Sequence, residues 1–108
     1  MKMIIAIVQD KDSNALSNAF IEADVRATKL ATTGGFLRSG NTTFMIGIAD
    51  ERVAEVLELI KKTSSKRDEY IAPPVNVEGA LETTGTPLEV EVGGATIFVL
   101  PVEQFLKF

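Results

Sequence analysis

Residues 42–60 read TTFMIGIADERVAEVLELI, and within this run the hydrophobic period changes. From Thr42 to Ile48 the apolar Phe44, Ile46 and Ile48 fall on one face, which is the period of two expected of a strand. From Asp50 onward Val53, Val56, Leu57 and Ile60 recur at i, i+3, i+4 and i+7, the spacing of an amphipathic helix. Lys61, Lys62 and Lys66 near its end complement the helix dipole, a surface role. A strand that runs directly into a helix is half of a repeated unit, and the preceding residues supply another. Lys2 to Val8 is apolar and rich in β-branched residues, as a central strand is. Gln9 to Asn14 is a polar turn with Asp12 or Ser13 as the expected N-cap of a helix. Leu16, Ala19, Phe20 and Ala23 then recur at helical spacing. Val25 to Ala31 alternates imperfectly and reads as a strand wet on one side.

Beyond the second helix, Ile71 to Pro87 holds all but one of the prolines and predicts a long loop. Leu88 to Val92 and Ala95 to Leu100 are strand-like runs separated by Gly93-Gly94, a hairpin signal. Pro101 ends the second run, and Val102 to Phe108 should fold back over the domain. The order strand, helix, strand, strand, helix, strands predicts an α+β fold: a ferredoxin-like βαββαβ sandwich with an extra C-terminal β-hairpin strand. Two helices then cover one face of the sheet, and the other is wet or covered by something else. Phe98, Phe105 and Phe108 exceed what one small helix layer needs, which predicts a homo-oligomer.

The chain has 108 residues, enough for one domain over 1–108 and too short for two. Its 45% hydrophobic and 24% charged residues are those of an ordinary globular protein. No apolar run reaches the roughly 18 residues of a membrane-spanning helix. The opening apolar stretch is brief and is followed by Gln9-Asp10-Lys11-Asp12, not by a small-residue cleavage site; it reads as a buried strand, and the protein as cytoplasmic. There is no cysteine and no histidine. That excludes disulfides, thiolate metal sites and any Ser-His or Cys-His nucleophile within the chain. A net charge of −4 argues against a general nucleic-acid binder.

Charge is unevenly spread. Val25 to Ala49 contains no Asp or Glu but holds Arg26, Lys29 and Arg38. The same island carries Thr28, Thr32, Thr33, Ser39, Asn41, Thr42 and Thr43, with Gly34, Gly35, Gly40 and Gly47. A planar guanidinium, hydroxyl donors and approachable backbone N–H groups are the ingredients of an anion or nucleotide pocket. A threonine-rich hairpin with a flexible tip uses the same residues, and composition does not choose between the two. Neither G-x-x-x-x-G-K-[ST] nor G-x-G-x-x-G is present. Asp10 and Asp12 are explained as helix-start residues and Glu89 and Glu91 as the outward face of a strand, so no metal site is expected. Arg26 and Asn41 could imitate the Arg/Asn pair of acylphosphatases. The glycine-rich phosphate loop after the first strand is absent, however, and Gln9 to Asp12 would repel a phosphate.

Arg26-Ala-Thr-Lys-Leu-Ala-Thr-Thr-Gly-Gly-Phe-Leu-Arg-Ser-Gly-Asn-Thr-Thr-Phe44, with Glu89-Val-Glu-Val-Gly-Gly-Ala-Thr-Ile-Phe-Val-Leu-Pro-Val102 and the opening Met1 to Ser13, resembles the PII-like cyclic di-AMP receptors of Gram-positive bacteria. The likeness spans nearly the whole chain and is weakest from Ser64 to Pro87. It implies a ferredoxin-like subunit in a PII-like homotrimer that binds cyclic di-AMP in clefts between neighbouring subunits, with no cofactor and no chemistry on the ligand. It also implies a short loop over 33–40 and a long one over about 71–87. The pocket residues it implies are Arg26, Thr28, Gly35, Phe36, Leu37, Asn41, Gly47 and Phe98. Two positions depart from the family's usual Asn and Gln: Asp24 and Lys107. An acidic Asp24 can accept from an adenine amino group but repels a phosphate, and Lys107 can compensate. A PII-type regulator of another adenine nucleotide therefore stays open as an alternative. The resemblance further implies an unidentified downstream protein, for which the 71–87 loop, ordered by ligand, is the expected contact.

Overall fold

The computed structural model describes residues 1–31, 40–71 and 88–108. The elements run β1 (Lys2–Gln9), α1 (Asp10–Glu22), β2 (Thr28–Ala31), β3 (Asn41–Ile48), a single 3-10 turn (Asp50–Arg52), α2 (Val53–Ser64), β4 (Arg67–Ile71), β5 (Leu88–Val92) and β6 (Ala95–Pro101). Four strands form one sheet in the order β2-β3-β1-β6, antiparallel throughout. With two helices on one face, this is the ferredoxin-like arrangement that the sequence predicts.

Alternation decides which face the helices take. On β1, Ile4, Ala6 and Val8 are buried; their partners across the ladder on β3 are Ile46, Phe44 and Thr42. These residues meet Leu16 and Phe20 of α1 and Val56 and Ile60 of α2 in a single core. At its centre the rings of Phe20 and Phe44 pack edge to face, with centroids 5.6 Å apart at 81°, the orientation their quadrupoles favour. The residues between point the other way. Met3, Ile5, Ile7 and Gln9 line the opposite face beside Gly47, Met45, Thr43 and Asn41, flanked by Thr28 and Leu30 of β2 and by Thr96, Phe98 and Leu100 of β6. Leu30, Phe98 and Leu100 are each 44–50% exposed, so this face is apolar and open in the single subunit.

Three local expectations are corrected. Helix α1 begins at Asp10, with Gln9 at the N-cap position and no side-chain cap. The residues with capping chemistry lie inside the first turn and are used otherwise: Ser13 Oγ donates to the Asp10 carbonyl at 2.8 Å, and the two carboxylates take partners from other elements. Strand β2 starts at Thr28 instead of Val25, because the Val25 N–H closes on the Phe20 carbonyl at 2.8 Å and holds the preceding residues in the turn that ends α1. Finally, Gly93-Gly94 does not turn a hairpin between β5 and β6. Strand β5 pairs with β4, from Arg67↔Val92 to Ile71↔Leu88, whereas β6 pairs with β1. The predicted C-terminal hairpin is instead a β4–β5 arm, joined to the main sheet through the two glycines.

That junction has demanding geometry. Gly93 and Gly94 have φ of 85° and 104°, values that residues with a Cβ rarely adopt. The Gly94 N–H donates to the Ser64 carbonyl at 2.6 Å, tying the turn to the end of α2. The Gly93 N–H donates to Gln9 Oε1 at 2.8 Å. The arm is also pinned by an ion pair: Arg67 Nη2 stands 2.7 Å from Asp12 Oδ1 and Nη1 3.4 Å from Oδ2, with the Asp12 side chain only 5% exposed.

Candidate ligand-binding site

The implied pocket residues separate into two groups. Arg26, Thr28, Gly47 and Lys107 come together in a surface cavity of about 610 Å³, whose wall is completed by Met1, Met3, Ala27, Met45, Val102, Gln104 and Phe105. Strands β2 and β3 put Thr28 opposite Met45, and Gly47 lies two residues further along β3 on the same face. The C-terminal segment, tied down by the Val102 N–H to the Met1 carbonyl at 3.2 Å, brings Lys107 to the cavity that Arg26 also lines. Two cationic side chains, one hydroxyl and one amide stand over an apolar wall, and no carboxylate lines the cavity among the described residues. A low-polarity hollow with paired positive charge suits a flat base linked to phosphates.

Gly47 deserves its place there for a steric reason. A Cβ at this position would come no closer to the rest of the subunit than 3.9 Å, from Met1 Sδ. Nothing among the described residues therefore demands glycine in mid-strand. The absent side chain leaves space for something arriving from outside.

Asn41 lies at the other end of β3, six residues from Gly47 and so about 20 Å away at strand rise. It lines a separate cleft of about 980 Å³ with Gln9, Lys61, Lys66, Gly93, Gly94 and Thr96 among others, floored by Leu57, Ile60 and Ile97. Phe98 lies between the two groups in the row Thr28–Met45–Ile5–Phe98, half exposed on the open face. Asp24 occupies the turn before Arg26 with φ 57°. Gly35, Phe36 and Leu37, like the proposed partner contact over 71–87 apart from Ile71, fall outside the described residues. Among the described residues no cluster of acidic side chains could hold a metal ion, and no helix is long and apolar enough to cross a membrane.

The turn carrying Asp24 and Arg26 is fixed from below by Arg52. Its Nη2 donates to the Ala23 carbonyl at 2.8 Å and Nη1 to the Asp24 carbonyl at 3.3 Å. Glu55 aligns the guanidinium, accepting from Nε at 2.9 Å and from Nη2 at 3.2 Å. The hydrogen bond from Arg52 holds the Glu55 carboxyl below its ordinary value of 4.5. A depressed carboxyl contributes its pairing above that ordinary value and loses it as the pH falls through the lowered one, so the brace slackens only in acid.

Sequence reasoning missed Met3, Met45, Gln104 and Phe105. The period-two alternation could have put Met3 and Met45 on the open face, but only strand register makes them neighbours of Thr28 and Gly47. Gln104 and Phe105 enter through the course of an irregular tail, which leaves no periodic signal.

The family model described as cyclic-di-AMP receptor matches residues 1–108. The chain belongs to the cyclic-di-AMP receptor family. A crystal structure of a functionally unknown protein from Pediococcus pentosaceus is similar, at 60% sequence identity and a TM-score of 0.80, over 99% of this chain and 96% of that one. In a chain of net charge −4, the cavity around Arg26 and Lys107 gathers positive groups locally, with no carboxylate among the described residues that line it, the electrostatic setting that favours an anion.

Proposed function

We propose that the protein is a cytoplasmic signalling receptor whose homotrimer binds cyclic di-AMP between neighbouring subunits, one ligand per subunit, without altering it. The observation that carries this reading is the acid-free cavity holding Arg26, Thr28, Gly47 and Lys107. The distance from that cavity to Asn41 supports a site shared between subunits. About 20 Å of strand separates Asn41 from Gly47 within one chain, so a single small ligand touching both groups must take one from each of two subunits. The open apolar face, with Phe98 and Leu100 half exposed, supplies the surface on which copies would meet. In this reading Arg26 and Lys107 face the phosphates, Thr28 and Asn41 donate or accept at polar edges, and Phe36, Leu37 and Phe98 cover the adenines. Asp24 and Lys107 set the preference among adenine nucleotides.

Calorimetry against cyclic di-AMP, cyclic di-GMP and ATP tests this directly. Heat is expected with cyclic di-AMP at one ligand per subunit; preference for ATP would select the alternative regulator, and silence with cyclic di-AMP at high micromolar concentration would remove the reading. Arg26→Met removes a charge-assisted contact and should cost about 1.5–3 kcal/mol, at least roughly tenfold in Kd. Asn41→Ala should cost about 1 kcal/mol, roughly fivefold. Both variants should sediment as the wild type does.

A further inference from the structure

Sulfur is confined to one place in this protein. The sequence has three methionines, no cysteine and no tryptophan, and all three methionines line the cavity that holds Arg26, Thr28, Gly47 and Lys107. Their arrangement follows from register. Met3 stands opposite Gly47, and Met45 stands between Ile5 and Thr28, so both project from the open face beside the missing Gly47 side chain. Met1 closes the group: its Sδ lies 3.9 Å from the position a Gly47 Cβ would take. Packing does not account for this placement. Methionine commonly fills irregular gaps in a core, yet no residue of the buried core is a methionine. The cleft around Asn41, at the other end of the same strand, is floored by Leu57, Ile60 and Ile97 and has no methionine in its wall. Met1 is 44% exposed and Met3 and Met45 are partly exposed, so a small oxidant reaches each thioether in the open cavity.

We propose that these methionines form an oxidation site that controls ligand binding: hydrogen peroxide converts them to sulfoxides in the unliganded protein and weakens the site, whereas bound ligand shields them. The inference rests on the binding reading above. In the step, a sulfur lone pair attacks one oxygen of the peroxide and the O–O bond breaks. Sulfur keeps that oxygen, its proton passes to the departing hydroxide, and water leaves. Sulfur loses two electrons and the peroxide gains them; methionine sulfoxide reductases reverse the change. The product alters the wall chemically. A thioether is apolar, polarisable and attracted to aromatic rings, which suits a purine. A sulfoxide is polar, and its oxygen competes with the phosphates for the donors of Arg26 and Lys107.

Treating the full chain with hydrogen peroxide, with cyclic di-AMP present and absent, provides the test. Peptide mass spectrometry follows each methionine, and calorimetry then measures affinity; no cysteine or tryptophan competes for the oxidant. With ligand at about ten times Kd only about a tenth of the sites stay open, so oxidation of Met3 and Met45 should slow roughly tenfold. The oxidised protein should bind about tenfold more weakly, the cost of one polar group set against an apolar contact. Methionine sulfoxide reductase should restore the lost affinity. A variant carrying both Met3→Leu and Met45→Leu, whatever its starting affinity, should lose most of the change that peroxide produces. Slowing of less than about twofold at that occupancy, in protein that gives heat with cyclic di-AMP, would overturn the inference and leave the receptor reading standing. So would methionines inert to peroxide, an oxidised protein of unchanged affinity, or a double variant as sensitive to peroxide as the wild type. A loss of affinity that comes with altered sedimentation would overturn it too, since the sulfoxide would then act on assembly instead of on the cavity. No heat from the unoxidised protein would remove the receptor reading, and this inference with it.

Discussion

Phe44→Ala should lower the unfolding free energy by about 3–5 kcal/mol, the range for deleting a buried aromatic ring from a packed core. Phe44 is 1% exposed, lies on the middle of β3 and meets Phe20 edge to face. It stands opposite Ala6 on β1 and Lys29 on β2, so the cavity would open where strand and helix layers join. The small Ala6 has no atoms with which to fill it. Against a total stability of about 5–15 kcal/mol for a domain of this kind, a loss of this size is a large fraction. A urea midpoint that falls while the slope is kept would identify a cavity cost. A change below about 1 kcal/mol would mean that the core is less tightly packed than its burial implies.

Gly93→Ala should be more damaging than the same substitution at Gly47 or Gly94. The left-handed backbone alone costs an alanine about 1–2 kcal/mol. The new Cβ would also lie 2.5 Å from the Ser65 carbonyl oxygen and 2.6 Å from Arg67 Nη1. The first is main chain at the end of α2 and cannot swing aside; the second belongs to the guanidinium already committed to Asp12. Relief requires lifting the turn, which gives up the Gln9–Gly93 bond and strains that of Gly94 to Ser64, each worth about 1 kcal/mol. The total expected is about 3–4 kcal/mol. Gly94→Ala serves as the control: its φ is equally unfavourable, but its Cβ would approach nothing nearer than Lys66 Cγ at 3.7 Å. Chemical denaturation of the pair should therefore separate clash from strain, and equal losses would show that the turn yields freely.

The same turn explains where sequence reading stopped. Two glycines between two β-rich runs are good evidence for a left-handed turn, and the turn is there. They carry no information about which strands pair across it. That was decided by Arg67 to Ile71, a polar run with only weak alternation, whose pairing with β5 bridges residues far apart in sequence. By contrast, β1, β3 and α2 were legible because each buries one face against the same core, and burial writes its period directly into the residues. The site was legible in composition and not in arrangement. The stretch free of acidic residues supplies Arg26, Thr28 and Gly47 to the cavity, whereas its second cation, Lys107, comes from the C-terminal tail outside that stretch. Yet Asn41 and Gly47, which alternation puts on one face, are as far apart as the strand allows, and the methionines that complete the wall are defined only by register.

Under the proposed homotrimer, half-sites at opposite ends of one strand would have a genetic consequence. If each ligand is shared, a subunit lacking Arg26 and a subunit lacking Asn41 fail in different halves. Homotrimers of either carry no complete site. Co-expressed, they form mixed rings, and in every mixed ring one junction joins the sound half of one parent to the sound half of the other. Two alleles that are each silent would together restore a fraction of the signal, as only a receptor whose pocket belongs to no single polypeptide can do.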